Sequence, residues 1–331
     1  MSLETYLRAA PKAELHLHLE GSIQPQTVLK LARRNGMALP ANTVEGLRDW
    51  YAFRDFPHFI EVYVAITRCL RTADDYELIV RELAEDLSRQ YVRYAEVTFS
   101  PSTHGLVFGV PEATFLEGLE RGRRRAKEDS GVEINWIFDI VRDSRDPSRF
   151  YEYTTRLAIE NKSEGVVALG LAGLEADAGP EPYVSWFDTA RAAGLHCIPH
   201  AGELAGPASV WGAVRALHAE RIGHGVRSVE DPDLVRYLAE QRIPLEVCPT
   251  SNVLLKSYAS LSEHPLRRLY DAGVPLTINS DDPALFNTTL TDELLTLPEA
   301  FGFSELSVEQ IDEILLNAVR FSFLPEGRRK D

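Results

Sequence analysis

Two histidines one residue apart, His16 and His18, sit in the stretch Glu14-Leu15-His16-Leu17-His18-Leu19-Glu20. Alternate side chains of an extended strand share a face, so both imidazoles project the same way. Neutral and side by side at a strand end they can bind one Zn²⁺, whereas protonated they repel each other. A third imidazole, His200, closes another apolar run in Ile198-Pro199-His200-Ala201-Gly202-Glu203, which adds a carboxylate just beyond it. His224 follows Gly223, and Asp281 and Asp282 follow Ser280. Imidazoles and carboxylates are the groups that ligate a divalent cation and move protons at neutral pH.

These residues share a surface only if distant segments end at one place. Short β-branched or apolar runs at 13–19, 92–99, 134–141, 166–172, 195–201, 221–225, 243–248 and 274–280 alternate with stretches of helical periodicity. That is the pattern of repeated βα units, and several runs are apolar throughout, as strands covered on both faces should be. The expected fold is a single α/β domain over residues 1–331, a TIM (β/α)8 barrel whose C-terminal strand ends carry the chemistry. Four of those ends then hold His16 and His18, His200 and Glu203, His224, and Asp281 and Asp282. Tyr76, Ile79, Val80, Leu83 and Leu87 form one helical stripe, and Ser307 and Gln310 have capping-box spacing ahead of Ile311, Ile314, Leu315 and Ala318. The gap between the first two strands far exceeds one crossover helix and carries Phe53, Phe56, Phe59 and Tyr63. A helical insertion over about 22–90 is expected, either as a lid over the barrel mouth or with its aromatics packed into a core. His196 shares the inward parity of His200 and reads as a hydrogen-bonded core histidine, and His58, His104, His218 and His264 fall in helices or loops without an evident catalytic part.

A formal net charge of -15 argues against nucleic-acid or anionic-membrane partners, which are held by clustered Lys and Arg. The one dense basic run, Arg121 to Lys127, is flanked by acidic residues and reads as a solvated helix face. The 3 cysteines, Cys69, Cys197 and Cys248, form no C-x-x-C pair, which fits a reducing cytoplasm. No leader-like segment or membrane-length apolar run is present.

The motifs resemble, in order and over nearly the whole chain, those of the adenosine deaminase family of the amidohydrolase superfamily. They are Pro11-Lys12-Ala13-Glu14-Leu15-His16-Leu17-His18, His200-Ala201-Gly202-Glu203, Gly223-His224-Gly225, Cys248-Pro249-Thr250-Ser251-Asn252, Ser280-Asp281-Asp282-Pro283 and Phe321-Ser322-Phe323-Leu324-Pro325. The resemblance implies one Zn²⁺ per subunit held by His16, His18, His200 and Asp281, a metal that lowers the pKa of a water toward ~7. It implies that His224 and Asp281 orient and deprotonate the water, and that Glu203 protonates purine N1. Asp282 would contact N7 and the Gly173 amide N3, with His18 and Glu20 also on the substrate side. The fourth run, 166–172, lacks the lysine with which two-metal members bridge their ions, so a single metal is expected.

The substrate implied is a small adenine-containing molecule whose 6-amino group leaves as ammonia. Relatives acting on adenosine typically carry Asp where this chain has Glu20. Glutamate resembles the adenine-specific branch, which however tends to have Ser at the Gly173 position and Asp at the Gly223 position. A 5′-modified nucleoside such as 6-aminodeoxyfutalosine, of the menaquinone route, reconciles these signals; free adenine is the alternative substrate, and a catalytically inactive binding protein is the alternative from another class.

Overall fold

The computed structural model describes residues 2–142, 147–175, 179–300 and 308–329. Eight parallel strands form one sheet in sequential order: β1 (Lys12–His18), β2 (Val92–Phe99), β3 (Glu133–Val141), β4 (Val166–Ala172), β5 (His196–Ala201), β6 (Ile222–His224), β7 (Leu245–Val247) and β8 (Leu276–Ile278). Helices follow the strands around the outside, giving the expected TIM barrel. The last three strands are shorter than the apolar runs that suggested them. Pro244 and Pro275 stand just before β7 and β8, and proline has no N–H for a sheet ladder.

The seam between β1 and β8 is closed at the residues with chemical potential. The His18 amide donates to the Asp281 carbonyl at 2.8 Å and the Asp281 amide to the His16 carbonyl at 3.1 Å. Below it, Asn279 Oδ1 accepts from the Leu15 and His16 amides, and Glu14 Oε1 accepts from both the amide and the hydroxyl of Ser280. Side chains thus complete a ladder that the short β8 cannot, as buried backbone donors require.

The barrel axis is divided between apolar and charged packing. Ile137, Ala168 and Ile198 form a small apolar cluster inside β3, β4 and β5. Toward β2, β6 and β7 the interior holds Arg221, which is 1% exposed and pairs with Glu96 and, at 2.6 Å, with Glu246. Arg221 also donates to the Phe321 carbonyl, while Tyr94 and the Phe323 amide donate to Glu96. The terminal Phe321-Ser322-Phe323 segment is therefore bonded to the barrel floor by this charge network. Its helix runs Val308–Arg320, and the expected capping residue Ser307 lies outside the described residues.

Between β1 and β2 the chain forms the helices Pro25–Asn35, Val44–Trp50, Phe56–Thr67 and Ala73–Arg89, and the last buries the stripe Tyr76, Ile79, Val80, Leu83 and Leu87. The insertion aromatics serve both expected purposes: Phe59 packs on Phe53, Phe56 and Tyr63 and stacks on Phe286, while one side of Phe56–Thr67 faces the barrel mouth. Arg121 pairs with Glu117 and Asp74 on the solvated face expected of the basic run. His196 departs from expectation. It is the first residue of β5, so its ring stands at the barrel floor rim with its side chain 40% exposed, bonded to Glu220 and stacked on Phe323. Inward parity predicts burial only between the ends of a strand. All cysteines are buried and free, and among the described residues no helix is long and apolar enough to cross a membrane.

Replacing Arg221 with leucine strands Glu96 and Glu246 as unpaired buried charges and should cost about 3–5 kcal/mol. Breaking the exposed Arg236–Asp233 pair by Arg236→Ala should cost under about 1 kcal/mol. Urea unfolding midpoints of the two variants measure the difference.

Candidate active site

At the C-terminal mouth, ligand atoms of His16, His200, His224 and Asp281 lie within 4.8 Å of one another, all buried. His18 joins them: its Nε2 is 3.3 Å from His200 Nε2 and 3.4 Å from Asp281 Oδ1. His16 Nε2 is also 3.4 Å from Asp281 Oδ1. Two of these residues, His224 at φ 60° and Asp281 at φ 62°, adopt the left-handed backbone that non-glycine residues rarely occupy. Such conformations cost about 1–3 kcal/mol and persist where surroundings over-determine them; for Asp281 the seam bonds to β1 do so. Gly223 lets the rings pack, since a Cβ there would lie 2.8 Å from His16 Cε1.

Hydrogen bonds fix which nitrogen of each ring faces inward. His200 Nδ1 sits 2.9 Å from the Leu171 carbonyl, which only accepts, so Nδ1 carries the proton and Nε2 presents a lone pair. His16 Nδ1 donates to Glu246 Oε2 at 2.9 Å, and its buried Nε2 has no hydrogen-bond partner. Nε2 of His16 and Nε2 of His200 therefore converge with the Asp281 carboxylate, an arrangement that repels itself unless a cation, either a proton on His16 Nε2 or a metal ion in its place, sits among them. The electrostatics agree. Burial disfavours a charged His16, yet Asp281 and Glu246 outweigh burial and raise its pKa to about 10. Burial opposes an ionised Asp281 as well, but the surrounding histidines hold it well below the usual carboxylate range.

His224 is oriented the other way. The Leu266 amide donates to His264 Nδ1, so the neutral His264, whose pKa burial lowers to about 3, donates through Nε2 to Asn252 Oδ1. Asn252 then turns its amide N–H toward His224 Nδ1 at 3.2 Å, which places the His224 proton on Nε2. That N–H points into the site, 3.8 Å from Glu203 Oε2 and 3.8 Å from Asp281 Oδ2. His224 thus offers a donor, not a lone pair, and burial keeps it neutral with a pKa near 4.

Glu203 is buried, and burial with the nearby Asp281 and Glu175 carboxylates raises its pKa to about 8. Glu175 fixes the loop that carries it, accepting from the amides of Gly202, Glu203, Leu204 and Ala205 and from the Ser209 hydroxyl. Asp282 is likewise pushed above its usual range by burial and by Asp281, and its Oδ1 has no partner. Adjacent acids pushed apart in pKa are the arrangement by which one site both accepts and delivers protons.

The mouth opens into a cavity of about 110 Å³. His18, Gly173, His200, Glu203, His224, Asp281 and Asp282 line it, as do Phe56, Phe59, Ile60, Tyr63 and Val64 of the insertion. Gly173, at φ 91°, ends β4 in a conformation that a side chain would strain. Glu20 stands behind the wall: it is 1% exposed and accepts from His104 Nε2 at 2.8 Å, Tyr63 Oη at 3.1 Å and the Ser100 amide at 3.3 Å. Sequence reasoning gave no part to His104, Asn252, His264 or Glu175. The relay Asn252–His264 left a trace only in the Cys248–Asn252 motif, whereas Glu175 left none.

Removing one lone pair from the convergent set should abolish ion binding. Elemental analysis after gel filtration is expected to find divalent metal in the unmodified protein and none in His16→Ala.

The profile of the adenosine deaminase family matches residues 11–331. The chain is 42% identical over 326 residues to the aminodeoxyfutalosine deaminase of Streptomyces coelicolor, covering 97% of this chain and 82% of that protein. Its fold superposes on the adenine deaminase of Arthrobacter aurescens with a TM-score of 0.90 at 33% identity, covering 97% and 96% of the two chains. It also superposes on an amidohydrolase of Burkholderia ambifaria solved with bound Zn, with a TM-score of 0.88 at 26% identity, covering 100% and 91%. The chain belongs to the adenosine deaminase family and is a deaminase on the amidohydrolase barrel.

Proposed function

We propose that this deaminase hydrolyses the 6-amino group of an adenine nucleoside, and that its preferred substrate carries a modified 5′ end, as 6-aminodeoxyfutalosine does. The observation that carries the choice is the apolar wall of Phe56, Phe59, Ile60 and Val64 along a cavity that also reaches the cluster. A free base leaves such a wall without a partner, whereas an apolar 5′ substituent fills it. The likeness to an aminodeoxyfutalosine deaminase supports the same reading.

In this reading a single Zn²⁺ is held by Nε2 of His16, His18 and His200 and by Asp281. When bound, it supplies Lewis acidity that brings the pKa of a water toward ~7. His224 is left out of the ligand set because its inward nitrogen carries a proton; it orients the water as donor while Asp281 Oδ2 takes the water's proton. Glu203, protonated at neutral pH, gives its proton to purine N1 as oxygen adds to C6, so the ring does not bear the negative charge. The C6–N bond then breaks, and ammonia leaves with protons returned through the same carboxyls. Asp282, also protonated, donates to N7, and the Gly173 amide donates to N3. Glu20 acts on the substrate from behind the wall, by fixing Tyr63 and the Ser100 amide. The reaction needs only water and a small purine substrate.

Three measurements test these roles. Glu203→Gln should retain metal and lose roughly 10²–10⁴-fold in kcat, since an amide cannot deliver the proton; near-normal kcat refutes the role. Asn252→Asp places an acceptor against His224 Nδ1, moves its proton away from the site, and should lower kcat by about 10²-fold or more at unchanged metal content. Among aminodeoxyfutalosine, adenosine and adenine, kcat/KM should be highest for the first. Parity with adenosine removes the 5′ argument, and a preference for adenine favours the free-base activity named for the Arthrobacter relative.

A further inference from the structure

One buried acid in the cavity has no part in the chemistry above. Asp139, on β3, is 1% exposed and lines the cavity. Its Oδ1 accepts from the Ser100 hydroxyl at 2.7 Å, while its Oδ2 has no partner. A buried carboxyl oxygen left unsatisfied costs about 1–3 kcal/mol, so its presence calls for a reason. Neighbouring strands do not supply a partner. Asp139 lies opposite Gly170 on β4, which has no side chain to reach it, and just after β2 the nearby Ser100 already bonds the other oxygen.

The place of Asp139 around the barrel says what could meet it. With N1 at Glu203 after β5, N3 at Gly173 after β4 and N7 at Asp282 after β8, the purine's C6 edge faces β5 and β6. N9 lies between N3 and N7 on the opposite edge, so its substituent points to the remaining arc, β1 to β3, which carries Ser100 and Asp139 at the cavity wall.

We infer that Asp139, supported by Ser100, is a specificity-determining residue that hydrogen-bonds a hydroxyl of the sugar attached to the purine, and so selects nucleosides over free bases. The inference rests on the nucleoside reading above. Burial, partly offset by the Ser100 bond and reinforced by Glu20, raises the Asp139 pKa to about 8. At neutral pH the carboxyl therefore both donates and accepts, as a sugar hydroxyl does. Glu20, with its acceptors taken by His104, Tyr63 and the Ser100 amide, leaves this task to Asp139.

The test compares kcat/KM of metal-replete wild type, Asp139→Leu and Asp139→Asn on adenosine, its 2′-, 3′- and 5′-deoxy analogues, and adenine. In the leucine variant the adenosine-to-adenine ratio should fall by at least about tenfold, as expected where a site built for a hydroxyl loses its partner. Asparagine, with a donor and an acceptor in the same outline, should recover most of that loss. One deoxy analogue should be a poor wild-type substrate that the leucine variant handles no worse. An active enzyme whose ratio is unmoved, or whose two activities fall in parallel, overturns the inference while leaving the deaminase reading intact. So does a wild type that prefers adenine. A wild type that deaminates none of these aminopurines, nor a 5′-substituted adenosine, instead rejects the nucleoside reading itself.

Discussion

The carboxylate of Glu246 is the interaction on which the site depends. One oxygen is held by Arg221 and the other accepts from His16 Nδ1, so the barrel's buried charge network ends at an imidazole of the mouth cluster rather than in apolar packing. A buried Arg–Glu network contributes little net stability compared with hydrophobic residues of the same volume. What it does here is set direction. Glu246 can only accept, so a His16 proton must lie on Nδ1, and it is Nε2 that faces Asp281. The same network bonds the terminal Phe321-Ser322-Phe323 segment through Arg221 and Glu96. The Phe321-Ser322-Phe323 segment and the orientation of the first inward-facing imidazole are thus joined by one run of hydrogen bonds.

Direction is imposed on the other rings by different means, and the differences separate their chemistry. A backbone carbonyl sets His200 as His16 is set by Glu246, lone pair inward. The Leu266 amide, acting through His264 and Asn252, sets His224 with its proton inward. Rings of one type within a few ångströms become ligands or donors according to what lies behind them. Carboxyls are sorted by the same logic: Asp281, surrounded by imidazoles, stays ionised, while Glu203 and Asp282, facing Asp281 across little solvent, keep their protons. A divalent cation in the cluster would satisfy the acceptors and leave the donors free to face the cavity.

How much of this could be read from the sequence follows from the range of each effect. The shared face of His16 and His18 is a property of strand parity, and the arrival of His200, His224 and Asp281 at one mouth follows from the βα alternation. The family motifs carried the same residues. The relay behind His224 was not legible, because Asn252 and His264 meet it only through tertiary packing, and Glu175 acts on amides 27 to 30 positions away. Parity misled at His196, which is a strand's first residue and stands at the open rim. For Glu20 the motif marked a position beside the site, but its depth behind the wall comes from His104 and Tyr63, which no spacing connects to it.

The strand ends and the insertion that walls the cavity are held under different constraints. Strand ends bearing His16, His18, His200, His224 and Asp281 are fixed by seam bonds, left-handed backbone and the axial charge network, so changes there disturb several partners together. The wall belongs to an insertion whose aromatic side chains hold chiefly one another and Phe286. Of the wall residues Tyr63 is bonded to Glu20, and loop-closure entropy grows only slowly with the length of such an insertion. Substitutions in the wall can therefore reshape the side of the cavity that the insertion lines while the protonation states around Asp281 stay as they are. That separation is compatible with one fold serving relatives named for a free base and for a modified nucleoside.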